Sequence, residues 1–268
     1  MGLFYPERIC CLTEETTELL YQLGEEDRIV GISGFTVRPK RARKEKPKVS
    51  AFVDADIPKI EALKPDLILA FSDIQASITK ELISKGYTVF TFNQRSVAEI
   101  LNTLVWIGSL VGRQRDVEEL AHGVKRRLDE MKERNREHST RPRIYFEEWP
   151  DPMISGICWV SELIDIAGGV DIFGELAQES LAKDRIVTPE MVVEQRPDAI
   201  IGSWCGKKVR LDEIRHRFEG EEVPAVNHND LYEINSSIIL QPGLAALTDG
   251  VEELERIITK VRGERGAT

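Results

Sequence analysis

The sequence predicts an α/β protein built from two Rossmann-like lobes with parallel sheets, which are joined by one long backbone helix. Three observations carry this prediction. Strands and helices alternate in the first part of the chain, a long and mostly helical segment follows, and the alternation then begins again. Such alternation is typical of a parallel sheet covered by helices on both faces. We expect lobes over residues 1–110 and 141–268 and the connecting helix over 111–140.

In the first lobe, short apolar runs predict strands, and helices are predicted between them. The strands are predicted over residues 8–12, 28–32, 67–71 and 88–92, and the helices over 13–23, 58–64 and 78–85. Gly24 and Gly86 stand where left-handed C-terminal caps belong. The basic run over residues 38–48 is interpreted as a solvated loop. The alternative is that this basic run borders a cleft between the lobes and attracts an anion.

The segment over residues 97–135 is predicted to be helical, with a break near Gly112. One apolar stripe at helical spacing indicates the face that packs on the core; it consists of Val117, Leu120, Ala121, Val124, Leu128 and Met131. Trp106 lies in the middle of the helical segment, and we expect it to belong to the core.

In the second lobe the alternation resumes after the polar stretch that ends near Pro142. Strands are predicted over residues 143–147, 199–203 and 231–234, and helices over 160–167, 189–195, 211–217 and 243–261. One local pattern occurs in both lobes, about half a chain apart: a short helix ends at Pro65-Asp66 or at Pro197-Asp198 and leads into a buried strand. Proline stops the helix and Asp shapes the turn, so the repeated pattern favours two similar lobes.

Composition limits the classes of function. The 268 residues carry a formal net charge of −10, which argues against nucleic acid as the main partner.

No signal-peptide pattern is recognised at the N-terminus, which predicts a cytoplasmic protein if the chain is complete; the alternative is a periplasmic or cell-surface protein whose leader was removed. The four cysteines show no metal or disulfide pattern and are expected to be reduced thiols. We expect a monomer.

Three segments of the first lobe carry a family resemblance: Arg8–Leu20, Leu23–Ile32 and Ala62–Ala70. They resemble the cobalamin-binding proteins of ABC importers, within the siderophore and cobalamin class, and Arg8–Leu20 is similar to that family's opening strand and helix. Later segments resemble a leaderless subgroup of the same family: Glu147–Pro152, Gly156–Leu163, Ala167–Gly169, Trp204–Gly206 and Gln241–Gly243.

The resemblance implies a fold and a function. The fold is that of class III periplasmic binding proteins, with a ligand in the cleft between two lobes and limited hinge motion about one stiff helix. The function is that of a binding protein rather than an enzyme, and it requires no cofactor. The ligand is expected to be a corrinoid or another large, flat organic molecule or metal chelate.

Ligands of doubly wound sheets bind outside the carboxyl ends of the strands, which selects the candidate ligand-binding residues. In chain order these are Phe35, Phe71, Asp73, Glu148, Trp149, Trp159, Trp204, Cys205 and Asn235. Large aromatic rings suit a macrocycle because offset stacking stabilises flat surfaces. Each residue also has an ordinary structural interpretation, such as a loop anchor for the tryptophans and a solvated loop tip for Asp73 and Glu148. Phe35 and Phe71 match positions where the resembled family carries aromatic residues.

Two further expectations concern metals and a partner. None of the four histidines lies at a predicted strand end with a second ligand at metal spacing, so no metal site is predicted. The resemblance implies one exposed Glu per lobe for docking to an importer permease. Glu190 matches the second of these, but Pro58 stands where the first is expected. This departure weakens the importer role.

The sequence therefore predicts a binding protein for a corrinoid-like ligand, which is either a stand-alone cytoplasmic carrier or the substrate-binding protein of an importer for cobalamin or a ferric siderophore. A ligand-sensing regulatory module and an enzyme on the same fold remain alternatives. The sequence contains no G-x-S-x-G elbow, phosphate-binding loop or dinucleotide fingerprint, which argues against the enzyme.

Overall fold

The computed structural model describes residues 4–265, except for the side chains of Glu264 and Arg265. The chain divides into two compact units. The first unit runs to Gln94 and adds Ala98–Gly123, and the second contains Arg95–Val97 and the chain from Val124 onward. The domain boundaries at residues 110 and 141 stay a prediction.

The first unit is a five-stranded sheet with helices between the strands. Its strands are β1 (Ile9–Cys11), β2 (Ile29–Ser33), β3 (Lys48–Ser50), β4 (Leu67–Phe71) and β5 (Val89–Phe92), and its helices are α1 (Glu14–Gln22), α2 (Ala42–Glu45), α3 (Ile57–Leu63), α4 (Ala76–Ser84) and α5 (Val97–Leu110). All neighbouring strands are parallel, in the order β3-β2-β1-β4-β5. Every residue of β4 is buried, as its continuous apolar run predicts.

The middle of the chain is helical, as predicted. After α5 the chain turns at Gly112, whose φ is 80°, and α6 (Gln114–Arg136) follows. The α6 residues Val117, Val124 and Leu128 are buried, so most of the predicted stripe packs inward. Trp106 differs from expectation, because 57% of its surface is exposed. It lies outside the buried face of α5, which consists of Ile100, Thr103, Leu104, Ile107 and Gly108.

The second unit repeats the alternation. Its strands are β6 (Arg143–Pro150), β7 (Met153–Ser155), β8 (Val170–Asp171), β9 (Ala199–Gly202) and β10 (Leu231–Glu233), and its helices are α7 (Cys158–Ile166), α8 (Pro189–Gln195), α9 (Leu211–Arg217), α10 (Pro224–Asn227), α11 (Ser236–Ile239) and α12 (Val251–Arg265). Helix α12 follows a π-helical turn at Ala246–Gly250.

The second sheet is not entirely parallel, which corrects the prediction. Its path is β10-β9-β6-β7, and β8 pairs with the start of β6. Strand β7 runs antiparallel to the end of β6, with Glu147 opposite Ser155. The short strands β3, β7 and β8 are additions to the predicted set, and β3 with α2 lies partly in the segment interpreted as a basic loop.

The Pro-Asp turns have matching geometry in the two units. In the first unit, Lys64 ends α3 in the left-handed conformation (φ 47°), and the Asp66 carboxylate accepts from the backbone N–H of Arg8 at 2.9 Å. In the second, Arg196 ends α8 with the same φ, and Asp198 accepts from the N–H of Arg143 at 2.7 Å.

An arginine side chain makes corresponding hydrogen bonds at each of the two turns. The Nε of Arg8 donates to the carbonyls of Leu63 and Lys64, and the Nε of Arg143 donates to that of Gln195. Each arginine therefore satisfies carbonyls at the end of a helix that lack an intrahelical donor. No helix among residues 4–265 is long and apolar enough to cross a membrane.

Candidate ligand site

The carboxyl end of β1 is the topological switch point of the first sheet. From β1 the chain goes to β2 on one side, and it later returns to place β4 on the other. Parallel α/β sheets bind ligands outside the strand ends at such a point. The candidate ligand-binding loops of the first unit are therefore those that follow β1, β2 and β4.

The loop after β2 presents Phe35, which is 46% exposed. The loop is held by hydrogen bonds: the Phe35 N–H donates to the hydroxyl of Ser33 at 3.1 Å, and the Arg43 guanidinium donates to the carbonyls of Gly34 and Thr36. The basic segment therefore supports this loop through Arg43. Phe35 is an aromatic side chain at a strand end that has an accessible surface.

Phe71 and Asp73 lie at the end of β4. Phe71 is the last residue of the strand and only 6% exposed, whereas Asp73 is exposed and begins a 3-10 turn. Between them, Ser72 has φ 57° and ψ −178°, a conformation that non-glycine residues rarely adopt. Strained backbone of this kind is concentrated at functional sites, so the turn is a candidate for ligand contact.

Gln75 fixes this turn against the neighbouring strand end, and sequence reasoning missed it. Its side chain is 1% exposed. The amide oxygen accepts from the N–H of Phe71 at 3.0 Å, and the amide nitrogen donates to the carbonyls of Leu12 at 3.2 Å and Phe52 at 3.3 Å. One buried amide thus ties together the ends of β1 and β4 and the loop after β3.

Two acidic side chains at the start of α1 were also missed. Glu14 is 5% exposed and Glu15 4% exposed. Burial raises the pKa of Glu14 to about 7 and that of Glu15 to about 8. The hydroxyl of Thr13 donates to Glu15 at 2.6 Å. The strand-end rule points to these residues as directly as to Phe35, since α1 begins just after β1.

In the second unit, Trp149 and Glu148 lie near the carboxyl end of β6. The Trp149 ring is partly exposed, packs on the core of the unit, and has the ammonium of Lys207 4.2 Å from its centroid. Its indole N–H donates to the carbonyl of Asp151 at 3.0 Å. Glu148 forms an ion pair at 2.7 Å with Arg185, which is only 1% exposed.

Trp204 is in the core and is tied to a buried carboxyl group. It is 3% exposed, and its indole N–H donates to Glu147 at 3.1 Å. Glu147 has no exposed surface and also accepts from the Tyr145 hydroxyl at 3.2 Å and from the Arg217 guanidinium. Burial raises the pKa of Glu147, although Arg217 opposes the shift. This network fixes the end of β6 against β9.

The remaining three predicted ligand-binding residues of the second unit lie outside the hydrogen-bonded network around Glu147. Trp159 lies in the first turn of α7, is 3% exposed, and donates its indole N–H to the carbonyl of Ile239 at 2.9 Å. Asn235 is exposed and caps α11 by accepting from the N–H of Ser237 at 2.9 Å. Cys205 is exposed in the loop after β9.

The second unit therefore brings some of the predicted residues together. Glu147 connects the β6 end, which carries Glu148 and Trp149, with Trp204, and Lys207 in the next loop lies over Trp149. Trp159 is not part of this group, because its side chain is bonded to the segment at Ile239.

Glu190 and Pro58 occupy the same position in equivalent helices. Each is the second residue after an N-cap, Thr188 for α8 and Asp56 for α3, and both are exposed. A hydrogen bond from Thr188 lowers the pKa of Glu190, which keeps it ionised. Within residues 4–265, no group of three or more His, Cys, Asp or Glu side chains is arranged to hold a metal ion.

Comparison with known proteins adds two findings. A family model described as "Periplasmic binding protein" matches residues 9–238. The chain is 28% identical to an uncharacterized ABC transporter substrate-binding lipoprotein, YvrC, of Bacillus subtilis, covering 94% of this chain and 80% of the relative. It is 24% identical to a vitamin B12-binding protein of Vibrio parahaemolyticus, covering 93% and 88%. The resemblance stated from the sequence is confirmed.

Solved structures with the same fold include proteins named for binding iron, vitamin B12 and heme. A possible iron-binding protein from Staphylococcus epidermidis has a TM-score of 0.79 at 22% identity, covering 94% of this chain and 98% of that one. The vitamin B12-binding protein BtuF of Vibrio cholerae has 0.75 at 23%, covering 96% and 98%. The heme-binding protein RhuT from Roseiflexus has 0.78 at 18%, covering 94% and 99%. These likenesses establish the fold.

Proposed function

Because this chain belongs to the periplasmic binding protein family, we propose that it binds a corrinoid or another large, flat organic or metal-chelate ligand at the strand-end loops described above. The observation that carries the proposal is Trp149, a partly exposed indole at the carboxyl end of β6. Phe35 offers a second accessible ring at a strand end, in the other unit. The predicted cleft between the lobes stays a prediction.

The surroundings of Trp149 suit a flat ligand. The ring of Trp149 packs on the core of the unit. The ammonium of Lys207, a solvent-exposed side chain, lies over the ring. A cation over an exposed ring contributes only about 0.5–1 kcal/mol. A macrocycle can therefore displace the ammonium at small cost and stack on the indole, while Lys207 turns to a polar group on the ligand.

A corrinoid is preferred over heme and over a siderophore for two reasons. Curated relatives that match more than nine-tenths of the chain are named vitamin B12-binding proteins. In addition, the strand-end loop in the first unit is followed by the buried acids Glu14 and Glu15, which suit a ligand rich in amides. Trp159 is omitted from the proposed contacts because its ring is buried against another segment.

The test is a titration of the purified chain with cyanocobalamin, hemin and a ferric hydroxamate siderophore, followed by calorimetry and by quenching of tryptophan fluorescence. We expect cyanocobalamin to bind with a dissociation constant in the micromolar range or tighter and to quench fluorescence. Binding of hemin or the siderophore alone would replace the corrinoid with that ligand. The absence of heat and quenching with all three would contradict the proposal.

Delivery of the ligand to an ABC importer is the second candidate, and the stand-alone carrier is its alternative. The relative named as a substrate-binding lipoprotein and the exposed, ionised Glu190 favour delivery. Pro58 favours the carrier, because the equivalent helix of the first unit lacks the acidic group. Rim charges mainly affect the rate of docking, so one missing charge weakens a complex without preventing it.

Crosslinking in native cells separates these candidates. Delivery predicts that a permease, identified by mass spectrometry, crosslinks to the chain, that Glu190→Lys reduces the yield, and that the chain fractionates outside the cytoplasmic membrane. A carrier predicts recovery in the cytoplasm and no permease. Glu194→Lys, an exposed acid on the same helix, is the matched control.

A further inference from the structure

The buried acids at the start of α1 are not explained by the packing of the first unit. Glu14 and Glu15 follow β1 directly, at the switch point where the strand-end loops of the first unit converge. Within residues 4–265, neither carboxyl group has an ion-pair partner. Buried carboxyl groups without a cation are costly, because the protein interior solvates their charge poorly.

The hydrogen bonds of the pair are incomplete. Glu15 accepts from Thr13, whereas for Glu14 the Ser33 hydroxyl only partly opposes the rise in pKa that burial causes. Oε1 of Glu14 is buried and accepts from no donor among the described residues. The hydroxyl of Thr36, in the loop that begins at Ser33, is likewise buried and without a partner. The described residues contain nine such atoms, and these two are the ones that follow β1 and β2 at the switch point, where a bound ligand can supply the missing hydrogen-bond partner.

We infer that Glu14 and Glu15 select the ligand by its charge, so that the first unit accepts ligands with neutral or cationic hydrogen-bond donors and rejects ligands with carboxylates. The inference rests on the proposed function and adds which functional groups the ligand carries on the rim that faces the first unit. An amide N–H on the rim of a macrocycle supplies the donor that Glu14 Oε1 lacks. Above about pH 8, where both acids are ionised, a carboxylate at the same place would be repelled by them, because charges a few ångströms apart near a protein interior interact strongly.

Two corrinoids with the same ring provide a direct test. Cobinamide carries amides on the rim, and cobyrinic acid carries carboxylates at those positions. At pH 9, where both buried acids are ionised, we expect the wild-type chain to bind cobinamide on the order of a hundredfold more tightly than cobyrinic acid. The double variant Glu14→Gln/Glu15→Gln should reduce this ratio at least about tenfold, mainly because cobyrinic acid binds more tightly.

The control is Glu81→Gln, which removes an exposed acid on α4 of the same unit and should leave the ratio unchanged. Glutamine keeps the size of the side chain, and circular dichroism verifies that the double variant is folded. An unchanged ratio in a folded double variant that still binds cobinamide would overturn the charge selection alone. Failure of the wild-type chain to bind either corrinoid would instead contradict the corrinoid as the ligand of the proposed function, and this inference with it.

Discussion

The ring of Trp149 lies near the carboxyl end of β6 with the Lys207 ammonium 4.2 Å from its centroid, and it is the side chain on which the proposed stacking of the ligand depends most. Removing a central aromatic contact typically weakens binding by a few kcal/mol. We expect Trp149→Ala to weaken corrinoid binding by about 1–2 kcal/mol, roughly tenfold, as measured by calorimetry.

Trp106 provides the control for that substitution. It is 57% exposed on α5 and is not at a strand end. Trp106→Ala should therefore leave the affinity unchanged. Equal losses from both substitutions would remove Trp149 from the proposed contacts.

The buried acids also make a prediction about stability. In the unfolded chain both carboxyls titrate near 4.5, whereas in the folded chain the pKa of Glu14 is about 7 and that of Glu15 about 8. The folded state therefore holds these protons more tightly than the unfolded state. Their stabilising contribution is fully present below about pH 4.5 and is lost as the pH rises through 7 to 8.

Urea unfolding at pH 5.5 and pH 8.5 measures this effect. The free energy of unfolding of the wild-type chain should fall between these two pH values, and Glu14→Gln/Glu15→Gln should make that fall smaller by about 5 kcal/mol. Glu81→Gln, at an exposed position, should leave the fall unchanged. If the double variant loses as much stability as the wild-type chain, the two carboxyls are not the groups that titrate.

Position at a strand end does not determine the direction of a side chain, and this limited the prediction of the site. The same rule selected Phe35, which is half exposed, and Trp204, which is in the core with its N–H on Glu147. A sequence does not show that Glu147 is buried and available to accept that bond. Trp106 was predictable, because residues 100, 103, 104 and 107 define a helical face that excludes it.

Among the elements, those with a strong local signal were predicted best. Strand β4 and helix α8 have the predicted bounds, because a continuous apolar run defines the strand, and Pro189 begins the helix while Pro197 follows it. Strands β3, β7 and β8 have only two or three residues and depend on pairing with a distant neighbour. Such strands carry no periodic signal of their own.

The packing of α5 on α6 depends on a close approach at Gly108. A Cβ atom at this position would overlap the side chain of Val117, whereas a Cβ at Gly123 of α6 would meet nothing within 4 Å. We expect Gly108→Ala to lower the free energy of unfolding by about 1–3 kcal/mol, because the two helices must separate.

Gly123→Ala is the matched control within the same pair of helices. It should raise the free energy of unfolding by about 0.5–1 kcal/mol, since alanine favours the helix over glycine. Both changes are measured by urea unfolding. A neutral Gly108→Ala would show that α5 and α6 repack without cost.

For the whole molecule, the order of elements was predictable because it is repeated. The Pro-Asp turn occurs once in each unit, and both copies use an arginine and an aspartate in the same way. The identity of the ligand is not contained in this repetition. In the proposed function it depends on side chains such as Trp149, Phe35 and Glu14, each of which occurs in one unit only.

The central claim is that a corrinoid-like ligand binds at the strand-end loops of these sheets. Hydrogen exchange measured with and without saturating cyanocobalamin tests it most directly. The account predicts slower exchange in the loops following β1, β2 and β4 and in those following β6 and β9, with no change in α12 (Val251–Arg265). Unchanged exchange in all of these loops at saturation, or protection confined to α12, would contradict it.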